Sequence, residues 1–370
     1  MTHRICIWTI FPNHYQSSFF KALRTMGVDL QVRYYQRVPG NRLSLGWEQV
    51  PTLPPGEAYV EKSAGAAAAL DTVAAWRDAI HILPGYGDRF LLGLLKSIDA
   101  AGSRWAHWSE SSRRVWWRWG SLPLKRWYAS KVNDGALGAF GMGHLAFEDF
   151  SRWGIRTEKM AFLPYVTDTI PPGLPEDDVC GGFRRGRPAF VFIGALNRRK
   201  GIDVLLEAFR GVSGEGSETV LTLVGDDRSG GGYADSARKL GVAGKVLFRG
   251  AVPPAKIGTI LQPGCVLVLP SRRDGWGVVL NEGASAGLPL IASDRCGAAH
   301  HLIEMGLNGF RVEAGDARSL ACAMSAYARD ASLLAVHGAR SREIASAFTP
   351  EANGERFLGA LASWQAMQPG

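Results

Sequence analysis

Asp274 and Glu282 stand with seven residues between them, and Gly275, Trp276, Gly277 and Val278 fill the first part of that gap. The apolar run CVLVLP leads into this glycine-rich turn, and a helical pattern carrying Glu282 in its early turns follows. A strand–turn–helix of this kind suits a sugar bearing a diphosphate. Free amides and a partial positive charge at a helix N-terminus accept phosphate. Gly275 and Gly277 let backbone approach a ligand without a Cβ in the way. A carboxylate one or two turns into the helix can accept hydrogen bonds from ribose or sugar hydroxyls. Each residue also has an ordinary reading. Asp favours turns, an isolated helix Glu usually sits in water, and Trp276 either shields a ligand or packs.

Arg199 and Lys200 follow the strand-like PAFVFIGAL. Cations there could stabilise a leaving diphosphate, and pre-aimed charge of this kind is usually the largest catalytic term. They could equally be a solvated turn. Glu110, after SRWAHWSE, could serve as a base or as a partner for an acceptor hydroxyl. The same S-E-S is also good chemistry for capping a helix. His300 and His301 are adjacent and face different directions on a helix, so no shared metal is expected.

Strand-like and helical segments alternate along the whole chain. RICIWTI, the helical spacing of 13–26 and VDLQVRYY read as β-α-β, and residues 39–57 read as a Pro- and Gly-rich loop. Periodicity lapses over 167–187 and then restarts, with a long helix expected from Ala317 on. Continuous apolar strands imply parallel sheets covered on both faces. The expected fold is α/β, two Rossmann-like doubly wound domains. The expected boundaries are 1–166, a linker at 167–187, 188–347, and an amphipathic helix at 348–370 that packs back on the first domain.

The 370 residues are too many for one ordinary core. A content of 46% hydrophobic and 21% charged residues is that of a soluble globular protein. Five scattered cysteines without a CxxC pair argue against a disulfide framework or a zinc site, and for a reducing compartment. The N-terminal apolar run ends at Pro12 and reads as a strand rather than a signal peptide. No run reaches the ~20 apolar residues of a membrane span. The net charge of +8 fits nucleic acid, anionic lipid or phosphorylated small molecules, and does not choose among them.

Five pieces occur in order over the second half: FIGALNRRKGIDVLLEAF, LTLVGDD, VLFRGAVPP, VLPSRRDGWGVVLNEGASAGLPLIAS and NGFRVEAGD. Together they resemble the nucleotide-sugar domain of family 4 glycosyltransferases, retaining enzymes of the GT-B fold. HWSESSRR, the GMG turn and FLPYVTD resemble the acceptor domain of the same family. The resemblance implies a donor site in a cleft between two Rossmann-like domains. It implies that Glu282 holds the donor ribose, Asp274 faces the transferred sugar and Lys200 clamps the diphosphate. The implied catalytic residues are Asp274, Lys200 and Glu110. The implied donor-binding set is Gly194, Arg199, Lys200, Gly225, Gly275, Trp276, Gly277, Val278 and Glu282. No metal or cofactor is implied, because the nucleotide-sugar is a substrate, and no covalent nucleophile is needed in the front-face route. The chain departs from the family pattern in four places. Asp274 stands where Glu is usual, Ala195 stands at the clamp Arg, and FPNHYQSSFF replaces the N-terminal Gly-rich loop. Ser109-Glu110 stands where a His is often found, with His107 nearby.

Segment 113–131, RRVWWRWGSLPLKRWYASK, mixes basic and aromatic residues. It could lie on an anionic membrane surface or be a helix-loop-helix packed on its aromatic side. No nucleic-acid motif accompanies it, so nucleic acid is not expected as a partner. The expected function is transfer of a sugar from a nucleotide diphosphate donor to a glycan or lipid-linked acceptor. The expected setting is bacterial surface polysaccharide synthesis, in the cytoplasm or peripheral on the inner face of the membrane. The alternatives are a sugar-nucleotide epimerase of the same fold and a degenerate, non-catalytic nucleotide-sugar-binding protein.

Overall fold

The computed structural model describes residues 3–40, 52–60, 67–112, 122–170, 188–214 and 218–367. The chain divides into two compact units. One comprises Met1–Gly40, Glu48–Val166 and Pro350–Gly370, and the other Asn41–Trp47 and Thr167–Thr349. Residues 171–187 of the expected linker lie outside the described residues.

The first unit runs β1 (Arg4–Thr9), α1 (His14–Thr25), β2 (Asp29–Tyr34), β3 (Glu57–Tyr59), α2 (Ala67–Ala75), β4 (Ile80–Leu83), α3 (Arg89–Ala100), β5 (Arg104–Ser109), α4 (Leu122–Gly135), β6 (Ala139–Gly141), α5 (His144–Trp153) and β7 (Met160–Phe162). Its seven parallel strands lie in the order β3-β2-β1-β4-β5-β6-β7. Local chemistry starts the helices. The Asn13 side chain caps α1 by accepting from the Gln16 amide at 2.9 Å, and Asp88 caps α3 by accepting from Leu91 at 3.0 Å.

The second unit runs β8 (Ala189–Ile193), α6 (Ile202–Val212), β9 (Val220–Val224), α7 (Gly232–Lys239), β10 (Val246–Gly250), β11 (Cys265–Leu269), α8 (Val279–Ser285), β12 (Leu290–Ser293), α9 (Ala299–Leu302), β13 (Gly309–Val312), α10 (Ala317–Arg329) and α11 (Ser332–Ala345). Six parallel strands lie in the order β10-β9-β8-β11-β12-β13. Every residue of β11 is buried, as expected of a central strand covered on both faces. Strand order reverses between β8 and β11. In open α/β sheets the loops at such a reversal diverge to opposite faces and leave a crevice that ligands occupy.

Three elements differ from the sequence reading. Glu57–Tyr59, at the end of the expected loop, forms the edge strand β3. The Tyr34 hydroxyl donates to the Glu57 carboxylate at 2.5 Å and Arg24 pairs with it at 2.9 Å, so partners far along the chain fix this strand. The expected long helix after Ala317 breaks at Asp330, whose carboxylate accepts from the Ser332 amide at 3.0 Å and starts α11. The pattern of PPAKIGTILQPG predicts a helix, whereas the structure has a 3-10 segment there, Pro254–Thr259.

The last helix, α12 (Pro350–Ala366), belongs to the first unit. Phe357 meets Phe19 of α1 edge-on at 5.7 Å and Phe140 of β6 at 5.0 Å. Trp364 lies 4.7 Å from Phe140, and a Cβ at Gly138 would come within 2.3 Å of its ring. The buried Asn353 amide donates to the Pro164 carbonyl at 2.9 Å. This helix therefore completes the first unit's core. Phe357→Ala should cost about 3–5 kcal/mol of stability, the usual range for emptying a buried Phe site. Chemical denaturation of the full chain measures it, and an unchanged midpoint would contradict the packing described.

Candidate functional site

The reversal in the second sheet puts the loop after β8 beside the loop after β11. After β8, Asn197 accepts from the Lys200 amide at 3.0 Å and shapes a 3-10 turn, Arg198–Lys200. Gly201 ends that turn at φ +75°, and a Cβ there would lie 2.2 Å from the Pro270 carbonyl oxygen. Only glycine lets the two loops come this close. Arg272 ties them further. Its amide donates to the Arg199 carbonyl at 2.8 Å. Its guanidinium donates to the Arg198 carbonyl at 2.8 Å and holds the Asp203 carboxylate with two bonds of 2.6 and 2.8 Å.

The result is an ion pair between Lys200 Nζ and Asp274 Oδ2, with side chains 14% and 15% exposed. The backbone of Asp274 is held from the other side. Its amide donates to the Arg295 carbonyl at 2.9 Å, and its carbonyl accepts from Gly297 at 3.3 Å. Gly277, at φ +89°, follows: a Cβ there would meet Leu269 Cδ2 at 3.0 Å and lie 3.7 Å from Asp274 Oδ2. Gly275 and Val278 complete the turn before α8.

Gly194 and Gly225 end β8 and β9 with φ of +150° and +151°. A Cβ on Gly225 would lie 1.8 Å from the Gly194 carbonyl oxygen, so backbone crowding alone demands glycine there. A Cβ on Gly194 would approach Lys200 Cε at 3.7 Å. The structure thus brings together Gly194, Gly225, Lys200, Asp274 and Gly277. Arg199 takes a different course: its guanidinium donates to the Arg273 carbonyl at 2.9 Å.

Of the two readings open for Trp276, the structure favours packing. Its indole is 1% exposed, donates to Asn281 Oδ1 at 2.7 Å and stacks on His301 at 5.7 Å. The ring packs, so only the backbone of Trp276 is placed to meet a ligand. Asn281 was not among the expected residues. Its buried hydrogen bond locks the turn, and no local pattern signals it. Asn197 and Gly201 were also passed over, although an Asn three residues before a Lys-Gly pair is readable turn chemistry.

Glu282 lies in α8 and is 7% exposed. Burial pushes its carboxyl up to about 7, with no hydrogen bond or ion pair to it among the described residues. His300 Nε2 lies 2.9 Å from the Asp294 carbonyl oxygen, whereas His301 faces Trp276, so the two rings point apart. Among the described residues no group of three or more His, Cys, Asp or Glu is placed to hold a metal. Of the cysteines, Cys6, Cys265 and Cys296 are buried, Cys322 is exposed, and Cys180 lies outside the described residues.

Glu110 stands in the first unit, directly after β5. Two residues before β5 ends, His107 is buried, and desolvation pushes its pKa down to about 3. Its ring nitrogens lie 3.1 Å from the Tyr128 hydroxyl and 2.7 Å from Ser109 Oγ. It is a neutral core histidine.

Residues 176–343 match the family Glycosyl transferases group 1. The second unit is a glycosyltransferase group 1 domain. The D-inositol 3-phosphate glycosyltransferase of Segniliparus rotundus is 28% identical over 154 residues, 38% of this chain and 34% of that protein. The GDP-mannose-dependent alpha-(1-6)-phosphatidylinositol monomannoside mannosyltransferase of Mycobacterium tuberculosis is 27% identical over 241 residues, 61% of each chain. The chain thus spans about a third to three-fifths of the length of these curated relatives. Among solved structures, Anabaena HepE in complex with UDP aligns over 98% of this chain and 100% of its own, with TM-score 0.75 and 18% identity. Sucrose-phosphate synthase of Thermosynechococcus elongatus aligns over 99% and 100%, with TM-score 0.74 and 17% identity. These likenesses span both units and give the fold as GT-B, two Rossmann-like units.

Two measurements follow from the site. Gly201→Ala should destabilise the chain by more than about 1–2 kcal/mol, because a left-handed alanine is strained even before its Cβ meets Pro270. Thermal unfolding that matches the wild type would contradict the close approach. Glu282 gives a pH signature. In the unfolded chain its carboxyl ionises near 4.5 and in the folded chain near 7. Folding therefore gains from the neutral form at low pH, and that gain is lost as pH rises from about 4.5 to 7, by about 3 kcal/mol. Wild type should lose stability against Glu282→Gln across this window. Parallel pH profiles of the two chains would show that the carboxyl is solvated instead.

Proposed function

We propose that the chain is a retaining glycosyltransferase of family 4 that moves a sugar from a nucleoside diphosphate-sugar to a glycan or lipid-linked acceptor. The observation that carries this reading is the meeting of Lys200 and Asp274 at the strand-order reversal of a group 1 domain, with the buried Glu282 in the next helix. Cleavage of the donor bond places positive charge at the anomeric carbon and negative charge on the departing diphosphate. Lys200 is the cation fixed to receive that diphosphate, and fixed charge acts without reorganisation at the moment of reaction. Glu282 offers carboxyl oxygens to the ribose hydroxyls. Asp274 faces the transferred sugar, and Glu110 of the first unit is the partner of the acceptor hydroxyl. The boundary of the donor-binding domain is placed at 188–347, with residues 1–166 supplying the acceptor side.

The relatives named above include a GDP-mannose-dependent enzyme, and the aligned HepE structure holds UDP. UDP and GDP are therefore the first nucleotides to test. A bacterial surface polysaccharide or lipid-linked precursor is the proposed acceptor. None of the described helices is long and apolar enough to cross a membrane. Contact with an anionic membrane surface on the cytoplasmic side is proposed for segment 113–131. Residues 113–121 lie outside the described residues. The remainder forms the start of α4, where Leu124 and Trp127 are exposed beside Lys125 and Arg126. Apolar rings among cations suit the lipid–water boundary. Ala195 at the clamp position favours a second reading, a non-catalytic nucleotide-sugar binder. Release of nucleotide only when acceptor is present separates the enzyme from the binder.

Calorimetric titration of UDP, GDP and ADP into wild type and Glu282→Ala tests the donor site. One nucleotide should bind, and the variant should lose about 1–3 kcal/mol, the worth of two hydrogen bonds at about 0.5–1.5 kcal/mol each. Equal affinity in both chains would overturn the assignment of Glu282 to the ribose.

A further inference from the structure

We propose that Asp274 occupies the phosphate position of Lys200 in the unliganded chain, and that the incoming diphosphate displaces it and frees its carboxylate for the transferred sugar. The inference rests on the donor-site reading above and adds to it a competition that sets donor against product. Lys200 is a single ammonium, and Asp274 already neutralises it. Neither position 195 nor Arg199 adds a second cation there, because position 195 is Ala and the Arg199 guanidinium turns to the Arg273 carbonyl. A diphosphate arriving at Lys200 thus meets a resident carboxylate of its own sign. Two anions a few ångströms apart repel and compete for one ammonium, and poor solvation strengthens both effects.

The backbone does not have to move for the exchange. Asp274 is fixed at its amide and carbonyl by Arg295 and Gly297, and only its side chain reaches Lys200. Gly277 sets no side chain against the carboxylate, where a Cβ would lie 3.7 Å from Asp274 Oδ2, so the exchange needs only a turn about the Asp274 side-chain torsions. A sugar attached to the diphosphate brings hydroxyl donors to that position, and the displaced carboxylate accepts from them. A nucleoside diphosphate without sugar displaces the carboxylate too, but brings no such donors to receive it. Asp274 therefore opposes the product and favours the donor, which assists product release.

The test uses the full chain and measures affinities for UDP against UDP-glucose and GDP against GDP-mannose in wild type, Asp274→Asn and Asp274→Ala. Thermal unfolding of each chain confirms the fold. Both variants should bind the nucleoside diphosphate tighter, by a factor on the order of ten, a common coupling between two ligands of one site. The preference of wild type for the sugar-bearing form should shrink or vanish in both. Nucleoside diphosphate binding that is unchanged or weaker in both variants would overturn the exchange while leaving the donor site standing. Failure of all three chains to bind any of the four compounds would instead remove the donor-site reading, and the exchange with it.

Discussion

The pairing of Lys200 with Asp274 depends on one close approach of backbone, Gly201 against the Pro270 carbonyl. Residues so far apart in sequence meet because β8 and β11 are neighbours in the sheet and their following loops lie side by side. Hydrogen bonds from Arg272, in the loop after β11, to the loop after β8 then hold the two together. Once the loops are held, Lys200 has one direction to point, and the turn through Gly277 has one path into α8. The glycines are thus first a packing requirement, and the ligand site is its consequence.

Charge in the second unit follows the same constraint. A cation and a carboxylate, each largely shielded from water, stabilise each other where either alone would be costly. Glu282 has no such partner among the described residues, and burial pushes its pKa up to about 7. A carboxyl in that state can both donate and accept hydrogen bonds. The first unit handles its buried ionisable groups differently. His107 and His81 are kept neutral by burial, with pKa values pushed down to about 3 and 4, and they hydrogen-bond to neighbours as core side chains.

The architecture was legible because it rests on local patterns. Apolar runs such as CVLVL, capping residues such as Asn13 and Asp88, and glycine turns are read one segment at a time. The reading failed where long-range partners decide. The edge strand β3 depends on Tyr34 and Arg24, and nothing within Glu57–Tyr59 announces them. Trp276 looked equally suited to a ligand or to a core until the Asn281 and His301 contacts turned it inward. The strand–turn–helix around Asp274 and Glu282 could be recognised from spacing. That Lys200 and Asp274 neutralise each other could not, because strand order, not sequence distance, makes them neighbours.

The central claim is that the loops flanking the β8–β11 reversal hold a nucleotide diphosphate through Lys200. A crystal structure of the chain with bound UDP or GDP tests it most directly. The account predicts a diphosphate oxygen about 2.7–2.9 Å from Lys200 Nζ, the usual length of a charge-assisted hydrogen bond, with Asp274 turned away from the ammonium. A nucleotide bound elsewhere, or a phosphate that leaves the Lys200–Asp274 pair intact, would contradict it.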